Sequence, residues 1–221
     1  MQIVRWCLTL ALALLLGVGL PAAPAAAAMV ILGGGAVIVV NGDSYCTLTT
    51  IGHDRAGDVV GFTGAKYGGP GATVAIAGTD TTVGTVVDTN GDLGYAVIKL
   101  DAPDLLPVSD YAGISINGIG PDLAFDSAAC KWGPSTPGIC GRITTPFGPR
   151  VNLLAQFDPG DVGAPVTTDG LLTGMAYAGG MTIGNKFSPP RLLTHLTKIG
   201  AILDAVNARD GPGSGFVPIG S

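Results

Sequence analysis

Short apolar runs recur every eight to twelve residues along this chain, each closed by Gly, Pro, Asn or Asp. That rhythm suits short strands joined by tight turns and leaves little room for long helices. The chain holds 36 Gly and 16 Pro, and its 16 acidic residues are all Asp, a turn former, with no Glu. Charged residues make only 12% of the total, too few to coat several amphipathic helices. The formal charge of −5, with Lys and Arg scattered singly, offers no basic patch for phosphates. Nucleic acid is therefore not an expected partner.

Residues 1–28 have the form of a secretory signal peptide. Arg5 supplies the charged start, Cys7 to Leu20 the apolar run, and Pro21 to Ala28 several small-residue cleavage sites. A membrane anchor would want about 20 apolar residues and a charged far flank, and neither is present. The body expected for the exported protein is 29–210, followed by a flexible tail over 211–221 with no periodicity. A body of this length buries about 70% of its unfolded surface, enough for a core without metals.

Within the body, 30–52 suggests two apolar strands about the Asn41-Gly42-Asp43 turn, and a second such turn falls at Asn90-Gly91-Asp92. Further strand signals continue to Ala178. One helix is expected after Ser188-Pro189-Pro190, where Leu192, Leu193, Leu196, Ile199, Leu203 and Val206 share a face.

Several segments, in order, resemble the streptogrisin branch of the chymotrypsin-like serine peptidases. Ile31-Leu32-Gly33-Gly34 resembles that branch's mature start. Tyr45-Cys46-Thr47-Leu48 and then Gly61-Phe62-Thr63-Gly64-Ala65-Lys66-Tyr67 resemble its first cysteine followed by Phe-x-Thr-Ala-Gly-His-Cys. Cys130 to Gly141 resembles its short disulfide loop. Phe157-Asp158-Pro159-Gly160-Asp161-Val162-Gly163-Ala164-Pro165-Val166 is similar to its nucleophile loop, written Gly-Asp-Ser-Gly-Gly-Pro. The resemblance implies an all-β fold of two antiparallel six-stranded β-barrels with a C-terminal α-helix. Gly174 to Gly180 then falls where a substrate-binding strand is expected.

The family's chemistry needs a hydroxyl nucleophile, an imidazole base and an orienting carboxylate. By the resemblance, Val162 holds the nucleophile position and Lys66 the base position. The carboxylate position falls on Gly94 or, with a two-residue insertion, on Asp92. No triad is left. The backbone at Gly160 and Val162 is the candidate for a residual oxyanion loop. The family's first staple joins the first cysteine to the one after the base. Tyr67 stands at that second place, so the resemblance leaves Cys46 free and Cys130–Cys140 as the pair.

Other candidates have plainer explanations. His53 suits a polar turn, His195 a surface position of the final helix, and two isolated histidines make no zinc site. Asp88 to Asp92 lacks the downstream Glu of a calcium loop. Ser135, Thr167 and Thr168 have no base at a readable spacing. No metal or cofactor is expected. The chain is expected to be a secreted monomer, located extracellularly or in the cell envelope. Its role would be that of an inactive peptidase homologue binding an extracellular protein or peptide. The alternatives are an active secreted hydrolase with a displaced set including His53 and Asp92, or a purely structural protein.

Overall fold

The computed structural model describes residues 29–221 except Asp80, Pro146, Phe147, Asn185 and Phe187. The expected signal peptide, 1–28, lies outside the described residues. After β1 (Val30–Gly33), the first half of the chain is a meander: β2 (Val37–Val40), β3 (Ser44–Thr47), β4 (Thr50–His53), β5 (Val59–Gly64), β6 (Thr73–Ile76), β7 (Thr82–Asn90) and β8 (Tyr95–Leu100). The Asn41-Gly42 pair turns β2 into β3 with φ of 54° and 82°, a left-handed geometry Gly and Asn tolerate and a hairpin requires. The sheet runs β4-β5-β8-β7-β6-β2-β3. Because β3 and β4 are successive halves of one extended run, interrupted at Leu48-Thr49, the sheet closes on itself. The result is a barrel of six strand positions.

The connection carries β9 (Leu105–Val108), which pairs in parallel with β1, and a small hairpin of β10 (Asp110–Tyr111) and β11 (Ile114–Ser115). The second half forms β12 (Ala128–Lys131), β13 (Ile139–Arg142), β14 (Arg150–Leu153), β15 (Pro165–Thr168), β16 (Leu171–Met181) and β17 (Leu192–Lys198). Their order is β13-β12-β15-β16-β17-β14, and a bridge between Ile143 and Leu153 closes the ring. Each barrel has its own core. Leu32, Ile38, Leu48, Val74 and Ile98 fill the first; Ile143, Leu153, Val166 and Leu196 fill the second. A third cluster, including Phe62, Tyr95, Met175 and Ile202, joins the barrels to the final helix, α1 (Ile199–Arg209).

Two expectations need correction. The helix does not begin near Leu192. Residues 192–198 form β17, which pairs with β14 on one side and β16 on the other, and its Thr194 and Thr197 are fully buried. Two ladders of backbone hydrogen bonds and two β-branched residues outweigh the helical spacing of the leucines. The helix starts only where β14 has ended. Nor are residues 211–221 loose. They contain β18 (Val217–Pro218), paired with β4, and Phe216 packs edge-on against Phe62 at 4.9 Å between ring centroids. Gly213 N–H also donates to Asp54 Oδ2 at 3.1 Å. An apolar anchor with backbone pairing orders this segment despite its glycines and prolines.

Candidate functional site

The loop before β15 is fastened from both barrels. Asp158 opens a single 3-10 turn over Pro159–Asp161: its N–H donates to Asp161 Oδ2 at 2.9 Å, and the Asp161 N–H donates to the Asp158 carbonyl at 2.8 Å. Hydroxyls from the first barrel then hold the far side. Thr47 Oγ1 donates to the Gly160 carbonyl at 2.9 Å and Thr49 Oγ1 to the Gly163 carbonyl at 2.7 Å. Thr47 N–H donates to the Val162 carbonyl at 2.8 Å, while Thr63 Oγ1 caps the Thr47 carbonyl at 2.8 Å. Gly163, at φ 87°, donates to the Ala176 carbonyl of β16; a Cβ there would overlap the Thr47 carbonyl. Only glycine fits that corner.

Beneath the loop lies a buried ion pair. Lys131 Nζ, from β12, donates to Asp161 Oδ2 and to Thr136 Oγ1, and neither charged side chain has any solvent exposure. Thr136 Oγ1 in turn donates to Asp161 Oδ2 at 2.7 Å. Burial pushes the Lys131 ammonium below the usual lysine range, against the opposing pull of the Asp161 carboxylate. Gly133 covers the pair so closely that a Cβ would overlap the carboxylate. The sequence placed Asp161 in its loop but gave no sign of its cation.

Val162 itself is buried at 1% exposure, with its side chain turned into the first barrel's core. Its Cγ1 occupies the space that a side chain on Gly64 would need. Lys66 follows two residues later in solvent, its ammonium 5.0 Å from the Tyr67 ring centroid. The strand run holding Lys66 is tied to the β7–β8 turn, where Ala65 N–H donates to the Gly94 carbonyl at 2.9 Å. Gly64, Ala65, Lys66, Gly91, Gly94, Arg150, Val162 and Tyr177 line one cavity of about 280 Å³. The structure therefore gathers Lys66, Val162 and Gly94 at one place. Asp92 stays exposed on the turn outside it, and Arg150 Nη2 donates to its backbone carbonyl.

Several other sequence candidates are separated. His53 ends β4 beside Val59, whereas Gly64, at the other end of β5, pairs with Tyr95 next to the Asp92 turn. The length of β5 alone sets His53 and Asp92 roughly 16 Å apart. Thr167 Oγ1 accepts from Trp132 Nε1 at 2.8 Å, and Thr168 Oγ1 donates to the Ala128 carbonyl at 3.2 Å. Ser135 is exposed on the β12–β13 loop. His195 sits half-buried on β17, not on a helix, with Nδ1 2.6 Å from Asn152 Oδ1 and its ring stacked on Tyr177. Among the described residues no group of three His, Cys, Asp or Glu could hold a metal.

The Gly160 and Val162 amides do not form a free donor pair. The Val162 N–H turns back within the 3-10 turn toward the Pro159 carbonyl, 3.5 Å away. One of the two donors an oxyanion would want is thus directed at the backbone instead. The cysteines pair as the resemblance implies: Cys130 and Cys140 are bonded across directly opposed positions of β12 and β13. Cys46 is free and fully buried, and burial pushes its thiol up to about 12. Tyr67 packs against the same core cluster as Cys46.

Solved bacterial proteases share this architecture. Thermobifida fusca protease A is 18% identical, with a TM-score of 0.64 over 80% of this chain and 96% of the protease. Nocardiopsis protease is 18% identical, with a TM-score of 0.63 over 80% and 97%. Cellulomonas bogoriensis chymotrypsin is 21% identical, with a TM-score of 0.62 over 86% and 100%. This chain has the chymotrypsin-like serine protease fold. No protein-family model and no curated protein sequence matches it. The 280 Å³ cavity, beside the Val162 loop, is lined by residues of both barrels. Arg150 belongs to no motif and was not anticipated, whereas Tyr177 falls in the expected substrate-binding strand, at the register shift between Ala176 and Ala178.

Proposed function

We propose that this chain is a secreted, catalytically inactive protease-fold module that uses its cleft for binding. The observation that carries this reading is Val162: a buried aliphatic side chain at the nucleophile position, wedged against Gly64. Three further features support it. Lys66 takes the base position, glycine faces the cavity at the carboxylate position, and the Val162 N–H is turned toward Pro159. The first-barrel hydroxyls against the loop, on Thr47, Thr49 and Thr63, each donate to a backbone carbonyl. None is paired with an imidazole.

A route for binding remains. β15 pairs with β16 no further than Met175, so Ala178 to Gly180 keep a backbone edge unpaired by β15 while β17 holds their other side. An extended peptide adds naturally to such an edge. Phe157 lies against Gly179 and His195 against Gly180, which gives that edge an aromatic wall. The rival reading, catalysis by a set including His53 and Asp92, has these two residues at opposite ends of a strand. Export rests on the 1–28 reading and agrees with the Cys130–Cys140 bond, since disulfides persist in oxidising compartments.

The deciding experiment treats the purified mature protein with a serine-reactive phosphonate and assays a mixed peptide library for cleavage. Neither labelling nor hydrolysis is expected. Labelling abolished by a single Ser or Thr substitution would overturn the proposal. The N-terminal sequence of the exported protein should begin near Met29.

A further inference from the structure

Six of the ten described cations, Arg55, Lys99, Lys131, Arg142, Lys198 and Arg209, lie within 4.0 Å of a carboxylate. Lys66, Arg150, Lys186 and Arg191 pair with no described carboxylate, and of these Lys66 and Arg150 line the cavity at the vacated triad. No acidic residue lines it with them. In a chain of net charge −5, two unpaired cations in one hollow form a local exception to the surrounding field.

The geometry points to a carboxylate-binding pocket for the end of a peptide, a reading that rests on the cleft being a binding site. Arg150 is preset for it. Its guanidinium lies over the Tyr177 ring at 4.9 Å, and one amino group is held by the Gly91 and Asp92 carbonyls. A stacked guanidinium anchored at one edge leaves its other N–H donors for a planar acceptor, which a carboxylate supplies in bidentate form. Lys66, exposed, adds a second charge from the opposite barrel. Gly64, Gly91 and Gly94 leave space between the cations, and about 280 Å³ admits one terminal residue. The cavity adjoins β16 at Tyr177, next to the edge at Ala178 to Gly180, so a peptide on that edge can deliver its carboxylate to the two cations.

The test is titration of the mature protein with a set of N-acetylated tetrapeptides, each made with a free C-terminal carboxylate and as the C-terminal amide. A third version places Asp last and amidates the terminus, which separates a side-chain source from a main-chain one. The expected result is binding by a carboxylate form, about tenfold weaker for the neutral amide and for Arg150→Gln or Lys66→Gln. Raising the salt should weaken it as well. Both side chains are exposed, and unchanged melting of the variants would confirm that they fold. Equal affinity for the acid and neutral amide forms, indifference to both substitutions, or binding of inorganic phosphate alone would overturn the pocket. The inactive binding module would survive equal affinity. Phosphonate labelling would instead remove that reading, whatever the titration shows.

Discussion

Gly64 has no side chain at the place where the Cγ1 of Val162 sits. The protease pattern has Ala where this chain has Gly64, and Ser where it has Val162, so the two departures fit each other in space. Gly64→Ala should destabilise the protein by about 1–3 kcal/mol through overpacking. Combined with Val162→Ser, the same alanine should cost much less, and denaturant melts of the four proteins close the cycle. Val162→Ser alone should lose about 2 kcal/mol by removing buried methyl groups, yet remain unlabelled by phosphonate because Lys66 supplies no imidazole. Additive melting effects would refute the steric link.

Lys131→Met should remove about 3–5 kcal/mol, since it leaves the buried Asp161 carboxylate uncompensated. The double change Lys131→Met with Asp161→Leu should recover part of that loss if the loop keeps its shape. Equilibrium urea unfolding measures both. A loss below 1 kcal/mol for the single variant would show that the pair is hydrated in solution.

Cys46 provides a pH signature. Its thiol has an ordinary value of 9.0 and is held up at about 12 in the fold. Between those values the unfolded chain has released its proton while the folded chain keeps it, so stability falls as pH rises. The total fall is on the order of 4 kcal/mol by pH 12. Below 9.0 the thiol contributes no slope. Cys46→Ala should flatten the alkaline limb, and an unchanged limb would assign it to other groups. Native protein should also resist alkylation at neutral pH, with one thiol per mature chain released on unfolding without reductant.

Truncation after Asp210 should cost about 3 kcal/mol, because it exposes Phe62 and strips the outer edge of β4. Phe216→Ala isolates the aromatic part. A truncated chain as stable as the full one would mean that the tail is a passive cover.

The barrel halves were legible because turn chemistry is local. Asn41-Gly42 and Asn90-Gly91 each fall at a hairpin, and the short apolar runs beside them form its strands. Lys66 and Val162 were located by motif spacing, and the structure joins them across residues distant in the chain. Their neighbours were not readable. Lys131 owes its role to Asp161, 30 residues away, and Arg150 reaches the cavity through pairing with Thr197. The helix boundary failed for a related reason: the leucines of β17 keep a helical spacing that only its two partner strands override.

The pairing of β18 with β4 has a bearing on how the molecule is made. The first barrel lacks one outer strand until residues 217–218 arrive, and β1 waits in the same way for β9. The outer edge of β4 is therefore paired only by a segment made after the whole second barrel. A nascent first barrel keeps an open edge through most of translation, available to a chaperone or to another chain. Pairing of this edge is coupled to synthesis of the residues beyond the second barrel.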